Sequence, residues 1–252
     1  MAEMNTQKLS ELQNKYGELD AGDLLRVMIG DVFKNKIALI SSFGADAALL
    51  LAIVSEIDNK TPVLFLETGK HFPETLEYVE TLKNQLGLQN LNFLTPDPEL
   101  LNRIDEKGDL WNSNPDRCCW MRKVEPLDRA VKEMGIEALI TGRKRYQNSE
   151  RAKLETIELD DKNIFRINPL ANWDKARFKE EINNRTLPQH PLVAQGYLSI
   201  GCAPCTIPVK DGQDERAGRW AHTAKDDGAQ KTECGLHISG LEIRVSGFGE
   251  KE

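Results

Sequence analysis

Short runs of consecutive apolar residues alternate along the chain with longer stretches in which apolar positions recur every three or four residues. The runs IALI (37–40), VLFL (63–66) and LNFL (91–94) have the length of buried strands. Between them, residues 45–57 and 73–86 carry the helical period, and Pro73 stands near a first turn, where a missing N–H costs nothing. A helix over about 117–134 leads to a fourth strand at EALIT (137–141). TIELDDKNIFRI (156–167) reads as a hairpin around an acidic turn, and 172–184 as an amphipathic helix opened by Trp173. Ahead of the first strand, residues 3–33 predict two polar-faced helices, the second with Leu24, Leu25, Val27, Met28 and Val32 on its apolar side. Strands alternating with helices at this spacing predict βαβ units and an α/β fold with a mostly parallel sheet. Residues 105–116 are a polar break. From Pro188 onward glycine and proline rise and periodicity fades, so the last 40 residues read as tail rather than core. The expected layout is an N-terminal helical segment (1–34), one α/β domain (35–210) and a C-terminal tail (211–252).

At 252 residues the chain is at the upper end for one domain, in keeping with that layout. Forty acidic against 33 basic residues leave a charge of −7, which argues against duplex nucleic acid or an anionic membrane as the main partner. A small anion stays open, because basic residues can cluster locally. The most apolar stretch, Ile37 to Val54, is interrupted by Ser41, Ser42, Gly44 and Asp46, so no membrane span is expected. The first twenty residues lack a basic stretch followed by an apolar one, so a cytoplasmic chain is expected. Five cysteines in a reducing compartment, two of them adjacent, do not suggest a disulfide framework.

Four constellations could carry chemistry. The turn SSFGADA (41–47), between a strand and a helix N-terminus, suits a phosphate or oxyanion, because unpaired backbone N–H groups and the helix dipole converge there. It has neither the spacing nor the lysine of a Walker-type loop. Cys118-Cys119 and Cys202-Ala203-Pro204-Cys205 make two pairs about 80 residues apart, enough thiolates for a zinc ion or an iron–sulfur cluster. Adjacent cysteines diverge and make a poor zinc knuckle, which leans toward a cluster. Arg122-Lys123, GRKRYQNSER (142–151), Arg216 and Arg219 form a basic set suited to sulfate and phosphate oxygens, or else a solvated loop. Last, Cys234 in ECGLH (233–237) is the cysteine left over, a candidate nucleophile or an incidental surface thiol. His71 and His190 read as structural or solvent-exposed.

SSFGADA, LETGKHFPET (66–75), the CC pair, TGRKRYQNSERA (141–152), NPLANW (168–173), GYLSIGCAPCT (196–206) and ECGLH occur in this order. Taken together they resemble the assimilatory adenylyl-sulfate (APS) reductases, iron–sulfur members of the phosphoadenylyl-sulfate reductase family, over about residues 35–238. The resemblance implies a doubly wound, mostly parallel sheet related to the PP-loop ATP pyrophosphatases, with a flexible C-terminal tail. It implies that Cys118, Cys119, Cys202 and Cys205 ligate a [4Fe–4S] cluster and that Cys234 is the nucleophile. Ser41, Ser42 and Gly44 would lie in the modified PP-loop, Leu66 where the strand-end backbone meets adenine, and Gly142 where the nucleotide approaches the backbone. Lys123 would stand between cluster and substrate, while Arg151, Arg216, Arg219 and His237 would surround the phosphosulfate. The implied reaction converts adenylyl sulfate to sulfite and AMP through an S-sulfocysteine, which thioredoxin or a similar dithiol resolves, in sulfate assimilation and cysteine biosynthesis.

The chain departs from that pattern in two places. Phe43 stands where some members carry a serine before the loop glycine, and 15 residues follow His237. A phosphoadenylyl-sulfate (PAPS) reductase shares ECGLH but has no use for the paired cysteines. A tRNA-modifying PP-loop enzyme fits the acidic balance and tail cysteine poorly, and a zinc-stabilised binding module would hold zinc without sulfide. Self-association into a homo-oligomer is compatible with all of these readings.

Overall fold

A computed structural model describes residues 2–147, 151–221 and 236 of the chain. Its centre is a six-stranded sheet in the order β3-β2-β1-β4-β6-β5, built from β1 (Ile37–Ser41), β2 (Val63–Leu66), β3 (Leu91–Leu94), β4 (Ala138–Ile140), β5 (Ile157–Leu159) and β6 (Phe165–Ile167). All pairings are parallel except the β5–β6 hairpin. The helices are α1 (Ala2–Tyr16), α2 (Ala21–Val27), α3 (Ala47–Asp58), α4 (Pro73–Leu86), α5 (Pro98–Asp105), α6 (Leu110–Ser113), α7 (Pro115–Cys119), α8 (Glu125–Met134) and α9 (Lys175–Asn184).

Strand residues alternate between two apolar clusters, as a sheet buried on both faces requires. Ile37, Leu39, Val63, Phe65 and Ile140 join a cluster with residues of α2, α3, α4 and α9. Ala38, Leu64, Leu66 and Leu139 meet Leu127 of α8 and Ile136 in the other. The sheet is therefore doubly wound. The N-terminal helices belong to the first cluster through Leu12, Leu24, Leu25 and Met28.

Helix ends follow local chemistry. Gly87 and Gly135 close α4 and α8 in the left-handed region, at φ 62° and 63°. The fourth helix runs over the residues that its pattern predicts. In contrast, α9 starts at Lys175, three residues later than expected, because Asp174 accepts from the Arg177 N–H at 2.8 Å and caps it. Helix α5 is absent from the sequence expectation. Asp97 caps it by accepting from Glu99 N–H at 2.8 Å and Leu100 N–H at 2.9 Å, with Pro98 at the first position. The span expected as one helix over 117–134 is α7 and α8 joined through a π-turn, Trp120–Val124. Nor is the stretch after Pro188 wholly tail-like. Ile200, Cys202 and Trp220 are buried, and Thr206 and Arg219 form an antiparallel bridge. Among the described residues no helix is long and apolar enough to cross a membrane.

Candidate functional site

Strands β2 and β3 lie on one side of β1 and β4 on the other, so the order in which strands are added reverses between β1 and β4. Open α/β sheets bind ligands at the carboxyl ends of strands at such a switch point. A cavity of about 220 Å³ opens there. Ser41, Ser42, Gly44, Leu66, Lys123, Gly142, Arg151, Arg216 and Arg219 all line it. Cys234 and His237 lie outside the described residues, but Leu236 between them lines the cavity and packs on the apolar cluster beneath Leu66.

The β1 turn shows why these residue types occur together. Phe43 is fully buried, edge-on to Phe65 at 5.3 Å, and holds a left-handed φ of 47°. That conformation is costly for a bulky residue, and the buried ring keeps it in place. The Phe43 N–H donates to Ser41 Oγ at 3.2 Å, which tightens the turn while Ser42 stays exposed. A Cβ on Gly44 would meet the Ile200 carbonyl at 3.0 Å, so the 196–206 segment closes over this turn only because the residue is glycine. Phe43, the departure from the family pattern, is thus a core anchor that leaves Ser41, Ser42 and Gly44 at the cavity wall.

The basic run after β4 is largely committed to the fold. Arg143 donates to Glu158 at 2.7 Å and to Asn168 at 3.1 Å. Burial lowers its pKa, and Glu158 offsets this in part. Lys144 is buried with its Nζ 2.8 Å from Asp46 Oδ2, and Arg145 donates to the Leu154 carbonyl. Arg151 is buried and donates to Gln147 Oε1. A Cβ at Gly142 would meet only Leu50 at an ordinary 3.6 Å, so protein packing does not demand this glycine.

Residues that the sequence reasoning missed also line the cavity, among them Asp46, His71, Gln147 and Trp220. His71 shares a hydrogen bond with the Leu66 carbonyl at 2.8 Å; a carbonyl only accepts, so Nε2 carries the proton. Burial holds its pKa below the usual imidazole value. Its one sequence signal was its place in LETGKHFPET.

Beside this cavity lies a second, lined by Cys118, Cys119, Cys202 and Cys205. Lys123, Arg219 and Trp220 line both. The π-turn after α7 places Lys123 five residues beyond Cys118, the spacing at which π-helical residues meet. All four cysteines are free thiols, and three are buried. Burial and neighbouring Cys119 push Cys118 up to about 12, and burial with Cys202 pushes Cys205 to about 11. Burial alone would also raise Cys202, but Lys123, the Thr68 hydroxyl at 3.4 Å and Arg219 outweigh it and hold Cys202 below the usual thiol value. Four crowded thiols of this kind ionise together only if a metal centre takes their charge. Among the described residues, the buried Nε donors of Arg122 and Arg219 have no partner. The donor set is all sulfur and suits an iron–sulfur cluster.

Residues 36–208 match the phosphoadenosine phosphosulfate reductase domain. An adenosine 5'-phosphosulfate reductase of Mesorhizobium japonicum is 47% identical over 239 residues, 95% of this chain and 91% of that protein. The solved structure of phosphoadenylyl-sulfate (PAPS) reductase from Candida auris, a phosphate complex, superposes with a TM-score of 0.68 at 29% identity, covering 79% of this chain and 96% of that one. The FMN adenylyltransferase of Candida glabrata, in complex with FAD and inorganic pyrophosphate, shares the fold alone, at TM-score 0.53 and 16% identity over 92% of this chain and 86% of that one.

Proposed function

The chain belongs to the phosphoadenosine phosphosulfate reductase family, and from that premise we propose that it reduces adenylyl sulfate to sulfite and AMP. The observation that carries the reading is a cavity at the switch point, walled by backbone turns and cations, that shares Lys123 and Arg219 with a four-cysteine cavity. An adenine nucleotide ending in a phosphosulfate matches this division. The base and ribose take the strand ends at Leu66 and Gly142, and the anionic end takes Lys123, Arg151, Arg216 and Arg219.

In this reading the Cys234 thiolate attacks the sulfur of adenylyl sulfate. The bond from that sulfur to the bridging oxygen breaks, AMP leaves with the electron pair, and Cys234 carries an S-sulfonate. The cations stabilise the charge that gathers on the departing phosphate. A dithiol such as thioredoxin then attacks the Cys234 sulfur, sulfite departs, and the second thiol of the pair releases Cys234 as the dithiol becomes a disulfide. With four of the five cysteines assigned to a cluster, no cysteine besides Cys234 is left to resolve the adduct internally. Cys118, Cys119, Cys202 and Cys205 would hold a [4Fe–4S] cluster, which when bound would tie α7 to the 202–205 turn and set its charge beside Lys123. The work would take place in the cytoplasm, as part of sulfate assimilation, with no nucleic acid or membrane involved.

Intact mass spectrometry tests the reading. Wild-type protein mixed with adenylyl sulfate and no dithiol is expected to gain one SO₃ group, on the peptide containing Cys234, and Cys234→Ser none. A hydroxyl, hardly ionised at neutral pH, cannot replace the thiolate. No adduct, or an adduct on Cys118 or Cys205, would overturn it.

A further inference from the structure

Strand β2 ends in a carbonyl whose ladder donor is diverted. Within the β1–β2 pair the Leu39 N–H donates to the Pro62 carbonyl at 2.8 Å. Carbonyls two residues apart point the same way along a strand, so those of Leu64 and Leu66 also turn toward β1. By the same register, the donor due to meet Leu66 is the Phe43 N–H. The left-handed turn at Phe43 sends that N–H to Ser41 Oγ instead. The Leu66 oxygen is taken up by His71, whose Nε2–H donates to it at 2.8 Å. Gly69, at a φ of 68°, folds the chain back between β2 and α4 and brings His71 over the strand end. The far side of the ring marks it as more than filler. Nδ1 is a bare acceptor once Nε2 holds the proton, and it is buried with no hydrogen-bond partner among the described residues. A buried acceptor left unmet is a cost. The ring packs on Phe65 at 4.9 Å, where an aliphatic side chain would fill the space without that cost. What the histidine supplies in return is the donor on Nε2.

We propose that His71 is a positioning residue for the base of the nucleotide: by fixing the Leu66 carbonyl it sets the preference of the cavity for a 6-amino over a 6-oxo purine. The inference rests on the function proposed above, which brings the base to the strand ends at Leu66 and Gly142. Both His71 and Leu66 line that cavity. A carbonyl oxygen accepts twice, so the Leu66 oxygen held by His71 keeps a lone pair for a ligand. It can only accept. The amino group of adenine donates to it, whereas the ring oxygen substituent of hypoxanthine meets it lone pair to lone pair. In a cavity wall that mismatch leaves both acceptors unpaired, which is how a site built to hydrogen-bond one group rejects the analogue lacking it. Such discrimination needs the carbonyl to stay in place, and a strand end without its ladder donor does not hold one by itself. His71 restores the missing donor from the protein side. Burial lowers its pKa, so the ring does this as a neutral group at neutral pH and adds no charge beside the base.

Calorimetry compares the binding of AMP with that of inosine 5'-monophosphate in wild type, His71→Leu and His71→Gln, and steady-state kinetics give KM and kcat for adenylyl sulfate. The wild type is expected to prefer AMP. His71→Leu, of similar bulk but without a donor, is expected to lose about tenfold in AMP affinity and little in inosine monophosphate affinity, the worth of one hydrogen bond. The same loss should appear in KM rather than in kcat. His71→Gln returns an N–H to the Leu66 carbonyl and is expected to recover most of the preference. A residue that only supported the fold would weaken both nucleotides alike. If His71→Leu does not fold, His71→Phe keeps a ring on Phe65, lacks the donor and carries the same expectation. No wild-type preference for AMP, a preference unchanged in the variants without a donor, or one lost equally in His71→Gln, overturns this inference alone. No sulfite from adenylyl sulfate with the wild-type chain overturns the proposed function, and this inference with it.

Discussion

Single residues here show how a burial pattern selects a protonation state. His190 is buried, with its Nε2 3.0 Å from Thr75 Oγ1 and its Nδ1 accepting from the Leu192 N–H at 3.2 Å. A ring nitrogen that accepts carries no proton, so the neutral form is built into the fold. Burial pushes its pKa down to about 4 from 6.5, with Glu74 pulling weakly the other way. The unfolded chain therefore takes up a proton as pH falls below about 6.5 while the folded chain does not, and stability contributed by the neutral ring is lost progressively toward pH 4. Urea midpoints of the wild type are expected to fall over that window, and those of His190→Gln to fall less steeply. Parallel curves would remove His190 from the account. The sequence marked this residue as structural or exposed. Which of the two holds depends on Thr75, 115 residues away along the chain.

Among the elements, the cysteine helix shows how a site is held by parts with no chemistry of their own. Arg122, in the π-turn after α7, donates to the Thr68 carbonyl at 2.7 Å and to Asp105 Oδ2 at 2.5 Å, and both side chains of that ion pair are buried. Asp105 ends α5, and its other oxygen accepts from the Leu110 N–H at 2.9 Å. Thr68 in turn contacts Cys202. A chain of bonds thus runs from α5 through Arg122 of the π-turn and Thr68 to the second cysteine pair. Breaking a buried pair by removing one charge strands the other and costs about 3–5 kcal/mol. Asp105→Asn is expected to lower the urea midpoint accordingly and to reduce the iron and acid-labile sulfide retained per chain. Unchanged stability with unchanged iron would show that the link does not hold the cysteines. The sequence pattern located the strands and α4 closely, because burial on both sheet faces turns a strand into a short, nearly continuous apolar run. It missed α5, whose polar composition hides an Asp-Pro start, and the π-turn, which leaves no periodic signature in five residues.

At the scale of the whole molecule, two cavities meet at Lys123, Arg219 and Trp220. Trp220 is 2% exposed, holds a left-handed φ of 53°, and stacks under the Arg219 guanidinium at 4.4 Å. Its backbone N–H donates to the Cys205 carbonyl at 2.9 Å, so the end of the 188–221 stretch is fastened to the cysteine turn. Trp220→Ala removes a large buried ring and is expected to cost about 3–5 kcal/mol, seen as a lower midpoint of urea unfolding. AMP affinity should fall with it, by calorimetry, while Trp220→Phe loses less of both. Destabilisation with AMP affinity intact would separate Trp220 from the nucleotide cavity.

By itself the sequence determined the alternation of strands and helices, the parallel sheet with its terminal hairpin, and the cysteine pairs and anion-suited turns, because each is written in residues close together along the chain. Only the tertiary structure decided that Ser41, Gly142, Arg151 and Arg219 share one cavity, that most of the basic run after β4 serves the fold, and that Asp46 pairs with the buried Lys144. Those outcomes depend on the reversal of strand order at the β1–β4 switch point and on the 196–206 segment crossing over Gly44. Contacts made by closing loops of a hundred residues or more leave no local pattern to read, since what selects them is the packing of the finished sheet.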